Sequence, residues 1–104
     1  MSDYDRPVTL NIQGTTWDLD WKQVPPTNLP LEEWGECDDG KLTISLYING
    51  QRTHDVDTFL HELCHAAESV GMVFGDDKHT AHSRIRQLAR FLAQVLVDND
   101  LIKL

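Results

Sequence analysis

A chain of 104 residues with a net charge of −8 has room for one domain with one modest core, taken as residues 1–104, and none for a separate substrate-binding unit. Its nine Lys and Arg are scattered among seventeen Asp and Glu, which argues against nucleic acid as a partner because phosphate contacts need clustered cations. No apolar run reaches bilayer-spanning length, and the acidic start "MSDYDRPVTL" lacks an apolar leader core, so a cytoplasmic protein without membrane contact is expected.

Val8, Leu10 and Ile12 alternate, the pattern turns near Gly14, and Trp17 and Leu19 resume it; this predicts a β-hairpin. Three of the four prolines lie in "VPPTNLP", so residues 24–30 should form an extended connector. The stretch "EEWGECDDGKLTISLYING" predicts a second hairpin turning at Asp38-Asp39-Gly40. Its second strand carries Leu42, Ile44, Leu46 and Ile48 on one face and Thr43, Ser45, Tyr47 and Asn49 on the other, the pattern of a sheet covered on one side.

From Val56 to Val70 the period becomes helical, with Val56, Phe59, Leu60, Leu63, Ala67 and Val70 in one stripe and Gly71 suited to end the helix. After the loop "MVFGDDK" a second helix is expected from about Thr80 to the "DND" at 98–100, with Ala81, Ile85, Leu88, Leu92 and Val95 inward. Four strands followed by two helices predict an α+β domain: a small antiparallel sheet of two hairpins, covered on one face by two α-helices.

Inside the first helix stands His61-Glu62-Leu63-Cys64-His65. With five His and five Glu in the chain, H-E-x-x-H arises by chance in only about 1% of such sequences. On a helix, residues four apart share a face one turn from each other, so both imidazoles can reach one ion. Zinc held by two His and a third ligand keeps a position for water and brings its pKa to about 7, and an adjacent carboxylate can take the proton. That pattern makes His61 and His65 candidate ligands of one Zn2+ per chain and Glu62 the candidate general base.

The third ligand has to come from elsewhere. Glu68 is seven residues from His61, about 10.5 Å along the axis, and suits a hydrogen bond to an imidazole better than coordination. His54 precedes the expected helix on no identifiable element. In "HTAH", His82 borders the apolar face of the second helix and can face the first, whereas His79 projects outward unless it lies in the loop. His82 is therefore preferred and His79 is the alternative. Cys64 turns toward the core as a small hydrophobe, Cys37 before the Asp-Asp-Gly turn is a lesser ligand candidate, and two cysteines are too few for a disulfide framework. Trp17, Trp21 and Trp34 are expected to pack on the sheet.

"HELCHAAE" followed by "HTAHSRIRQLARFL" resembles the zincin metallopeptidases, in particular small HExxH proteins of phages and bacteria, and the related SprT-like family with its H-E-x-C-H core. The likeness extends to "WGECDDGKLTISLYI", similar to the strand before the active-site helix, and so spans residues 34–100; residues 1–30 show none. It implies zinc ligation by His61 and His65 and a catalytic Glu62. The phage-type proteins place the third ligand at the start of the last helix, where His82 stands, and the SprT-like proteins take a histidine from between the helices, where His79 stands. The zinc ribbon of many SprT-like proteins has no counterpart here, so their DNA-repair role is not implied.

Together these features predict a zinc-dependent metallopeptidase of a minimal zincin-like kind, with His61, His65 and His82 on the metal and a peptide or protein as substrate. An extended substrate would pair with a sheet edge near residues 42–48; Tyr47 and His54 are the available guesses for oxyanion stabilisation. The alternative is a non-catalytic, zinc-stabilised binding protein for a phage or host partner, since so small a domain gains from a metal staple. Glu62 argues against it, because a structural site needs no such residue.

Overall fold

The computed structural model describes residues 6–23, 34–48 and 50–104; the expected connector over 24–30 lies outside them. The elements are β1 (Thr9–Ile12), β2 (Thr15–Gln23), β3 (Gly35–Asp38), β4 (Thr43–Ile48), α1 (Arg52–Ser69) and α2 (Lys78–Asp98). The α+β class holds, with a four-stranded sheet and two helices. The first hairpin turns at Gln13-Gly14, both with positive φ, as a two-residue turn matched to strand twist requires; Asn11 Oδ1 accepts the Gly14 N–H at 2.9 Å.

The sheet is mixed, not antiparallel. Its order is β1-β2-β4-β3, and β2 runs parallel to β4 with Leu19 opposite Ile44 and Trp21 opposite Leu46. Alternation within a hairpin specifies its own antiparallel pairing and says nothing of how two hairpins join. Residues 24–42 are long enough to return the chain for a parallel pair. The junction buries Trp17, Leu19, Ile44 and Leu46 together. It also makes β4 an interior strand, so the sheet edge beside the helices is β3 and not residues 42–48. Leu42 is in the turn with φ +51, not on the apolar face of the strand.

Helix α1 lies across β3 and β4, and α2 packs on α1. Toward the sheet α1 buries Val56, Phe59 and Ala66, together with Asp55, Thr58 and Glu62; Val70, expected inward, is exposed. Its C-terminus closes as a Schellman motif, with Met72 N–H donating to Ala67 O at 3.0 Å and Gly71 N–H to Glu68 O at 3.1 Å, and Gly71 at φ +105 supplies the left-handed residue that motif needs. Helix α2 starts at Lys78, two residues before the expected point, because Asp77 caps it: its carboxylate accepts the Thr80 N–H at 2.8 Å, and that bond holds the Asp77 carboxyl below its ordinary pKa.

The inward stripe of α2 is Ala81, Ile85, Ala89 and Ala93. Leu88 and Val95 keep 39% and 38% of their surface exposed, so the expectation that they point inward is corrected. Ranking by side-chain size misplaces the stripe here, since alanines on the i, i+4 row let two helices approach closely. The chain end also contributes: Leu104 is buried in the core with Ile102 packed against it, and Arg52 donates to the Ile102 carbonyl. No helix among the described residues is long and apolar enough to cross a membrane.

Candidate metal centre

His61 and His65 stand one turn apart on α1 and His82 in the second turn of α2. Shifting the α2 stripe onto its alanine row explains His82: it follows Ala81 and directly precedes the row's next turn, so its ring is carried against α1. One nitrogen from each of the three imidazoles lies within 4.8 Å of the others. Ring centroids are 5.0 Å apart for His61–His65, 5.0 Å for His61–His82 and 5.6 Å for His65–His82. His79 is exposed and outside this group.

The His61–His65 pair fits a tetrahedral ion such as zinc on a measurable distance. The Nε2 atoms of His61 and His65 are 3.3 Å apart, and two nitrogens about 2.0–2.1 Å from a tetrahedral ion stand roughly 3.3–3.4 Å from each other. His65 donates its Nδ1–H to Glu68 Oε1 at 2.8 Å, which leaves the Nε2 lone pair for an ion and fixes the ring. This is the contact anticipated for Glu68. On α2, Arg86 Nη2 approaches His82 Nδ1 at 3.3 Å. Arg86 is exposed and His82 half-buried; His82 binding a cation through Nε2 would carry a proton on Nδ1 and lose this contact.

Glu62 faces the sheet, not the solvent. It is 5% exposed and lies against β3: a Cβ at Gly35 would stand 2.7 Å from Glu62 Cγ and 3.0 Å from Oε2. Burial pushes the Glu62 carboxyl up to about 7, with His65 opposing and Glu36 reinforcing the shift. An open cavity of about 660 Å³ joins the two walls, lined by His61, Glu62, His65 and His82 from the helices and by Gly35 and Cys37 from β3. Burial raises the Cys37 thiol to about 11, with Glu62 and the neighbouring aspartates adding to it; Cys37 borders the site without joining the imidazole group. Cys64 is half-buried, not enclosed in the core, and burial raises its thiol as well.

The remaining candidates lie apart. His54 is in the first turn of α1, not before the helix, with its ring edge-on to Trp34 at 4.8 Å and 3.8 Å from Asp55. Tyr47 sits under Lys22 at 5.9 Å. Neither belongs to the cavity lining. Gly35 was missed by sequence reasoning, although a glycine inside a strand pattern is a signal of close backbone approach.

The backbone of β3 adds a further feature. Tyr47 N–H donates to Trp34 O at 2.8 Å, and the register continues through Glu36↔Ser45 and Asp38↔Thr43. In an antiparallel ladder alternate residues point their polar groups at the partner, so Gly35 and Cys37 turn their N–H and C=O groups away from β4, toward the side where no strand pairs among the described residues. No protein-family model matches this chain, and neither does any characterised protein or solved structure.

Proposed function

We propose that the protein is a minimal zinc-dependent metallopeptidase in which His61, His65 and His82 hold the ion and Glu62 is the general base. The observation that carries this reading is the convergence of three imidazoles from two helices on one point, beside a buried carboxyl group at the wall of an open cavity. A site that only tied α1 to α2 would have no use for Glu62, whose burial costs free energy that the neighbouring His65 offsets only in part. The resemblance of "HELCHAAE" to the zincins supports the same conclusion.

When bound, zinc supplies a Lewis acid for the scissile carbonyl and acidifies a water. The chain's own residues do the rest. Glu68 fixes the orientation of His65. Glu62, with its pKa raised toward 7, accepts a proton at a carboxylate oxygen and returns it to the departing amine. The outward N–H and C=O groups of Gly35 and Cys37 can hold an extended peptide along β3 as an added strand, the role expected earlier of residues 42–48. The substrate is thus a peptide or protein segment, not nucleic acid, and the cytoplasm of a bacterial host is the proposed setting.

A second reading is a zinc-stapled binding protein. It is favoured by one observation: Leu88, Phe91 and Val95 expose a shared apolar face on α2 away from α1. Metal analysis and peptide hydrolysis separate the two. About one zinc per chain is expected for wild type, Glu62→Gln and His79→Ala, and its loss for His61→Ala, His65→Ala and His82→Ala. Hydrolysis of an unfolded protein should fall about 100- to 10,000-fold in Glu62→Gln. Zinc content indifferent to all the histidines removes the site, and a zinc-loaded wild type no more active than Glu62→Gln leaves the binding protein.

A further inference from the structure

We infer that Gly35 is the positioning residue for Glu62: the side chain it lacks lets edge strand β3 lie directly on the carboxylate and holds it at the cavity wall beside the imidazoles. The catalytic part of this inference rests on the metallopeptidase reading; the steric part stands alone.

The backbone gives no reason for glycine here. Gly35 is in extended strand and is not among the glycines with positive φ, which are Gly14, Gly50 and Gly71. The reason is space. A Cβ would stand 2.7 Å from Glu62 Cγ, closer than a methyl carbon tolerates, and 3.0 Å from both Glu62 Oε2 and Thr58 Cγ2, where the neighbour must shift by a few tenths of an ångström.

Three groups could give way, and two of them are pinned. The strand is fixed by pairing with β4, where Gly35 lies opposite the buried Leu46. Thr58 is buried and its hydroxyl donates to His54 O at 3.1 Å, which sets the methyl toward β3. The Glu62 side chain has rotamer freedom and borders the open volume of the cavity. A side chain at position 35 therefore displaces the carboxylate. Gly75 gives the useful contrast: a Cβ there would meet the Ala81 backbone nitrogen at 2.7 Å, a constraint on folding that no side chain can relieve.

The test is a pair of cycles. In urea denaturation of the metal-free protein, Gly35→Ala should lower the midpoint in the Glu62 chain and do so by less than half as much in a Glu62→Ala chain, where both Glu62 contacts are gone and the Thr58 methyl remains. If Gly35→Ala alone does not fold, addition of Glu62→Ala should restore folding. With zinc, Gly35→Ala should keep one ion per chain, lose about 10- to 100-fold in kcat and change KM by less than about 3-fold, as expected of a group displaced by a fraction of an ångström. Glu62→Asp shortens the side chain that the new methyl would strike, so Gly35→Ala should slow a Glu62→Asp enzyme far less than wild type. Equal midpoint shifts in both urea backgrounds, no rescue of folding, or an active wild type whose kcat is unmoved by Gly35→Ala would each overturn the inference. A zinc-loaded wild type that cleaves nothing removes the peptidase reading, and the urea cycle still decides whether Gly35 sets the place of Glu62.

Discussion

The two sides of α1 are built from opposite chemistry. Toward the sheet, Val56, Phe59 and Ala66 close on Trp17, Leu19, Ile44 and Leu46. Away from it, Asp57, His61, His65 and Glu68 meet the start and middle of α2 through Arg90 at 3.9 Å and the ring of His82. The first side holds the domain together by excluding water. The second brings three imidazoles close enough together to hold a metal ion. Glu62 belongs chemically to the second side and spatially to the first, which is why burial raises its carboxyl well above the ordinary range.

The comparison breaks most visibly if the two sides contribute alike to stability. Trp17→Ala, at a residue 1% exposed, should cost about 3–5 kcal/mol. His61→Ala, measured with a chelator present, should stay within about 1 kcal/mol of wild type. Urea denaturation of both decides it, and similar costs would mean that the imidazole layer is structural.

Glu62 tests the boundary. Its folded pKa is raised from the ordinary 4.5 to about 7, so the folded state binds the proton more tightly than the unfolded chain. The associated stabilisation is fully present below about pH 4.5 and is lost as pH rises through about 7, a change on the order of 3 kcal/mol. Glu62→Gln cannot titrate. The stability of metal-free wild type relative to Glu62→Gln should therefore decline across that window, and a flat difference would mean that the carboxyl is solvated after all.

The smallest effect on the fold is expected at Glu68. Glu68→Gln keeps the shape but weakens the hold on His65, so zinc affinity should fall about 10- to 100-fold in competition with a chromophoric chelator. Stability without metal should move by under about 0.5 kcal/mol, because the pair is part-exposed. Unchanged affinity would show that His65 needs no orienting partner.

Much of this arrangement was legible along the chain. Alternation at Leu10 and Ile12 and at Ile44 and Leu46, the turns at Gly14 and Asp39-Gly40, and the Gly71 helix end are all local patterns, and the structure follows them. The HExxH spacing put His61 and His65 on one helix face, and Glu68 was read correctly as a partner for an imidazole. The inward face of α2 was not legible, because apolar size favours Leu88 and Val95 while the contact is made by Ile85 and three alanines. The burial of Asp55, Thr58 and Glu62 was hidden for a related reason: on a helix clasped by a sheet and a second helix, polar residues fall inside a contact that periodicity assigns to apolar ones.

By itself the sequence determined what lies within a few residues of chain: two hairpins, two helices, and a histidine pair with a glutamate between them. Local hydrogen bonding and side-chain period decide such features, and both act at short range. The tertiary structure alone decided that β2 and β4 run parallel, that β3 is the edge strand beside the helices, and that Glu62 lies beneath Gly35, and it selected His82, the residue the sequence favoured, over His79. Each of these depends on contact between residues far apart in the chain, where close packing selects among arrangements that local preference leaves equally open.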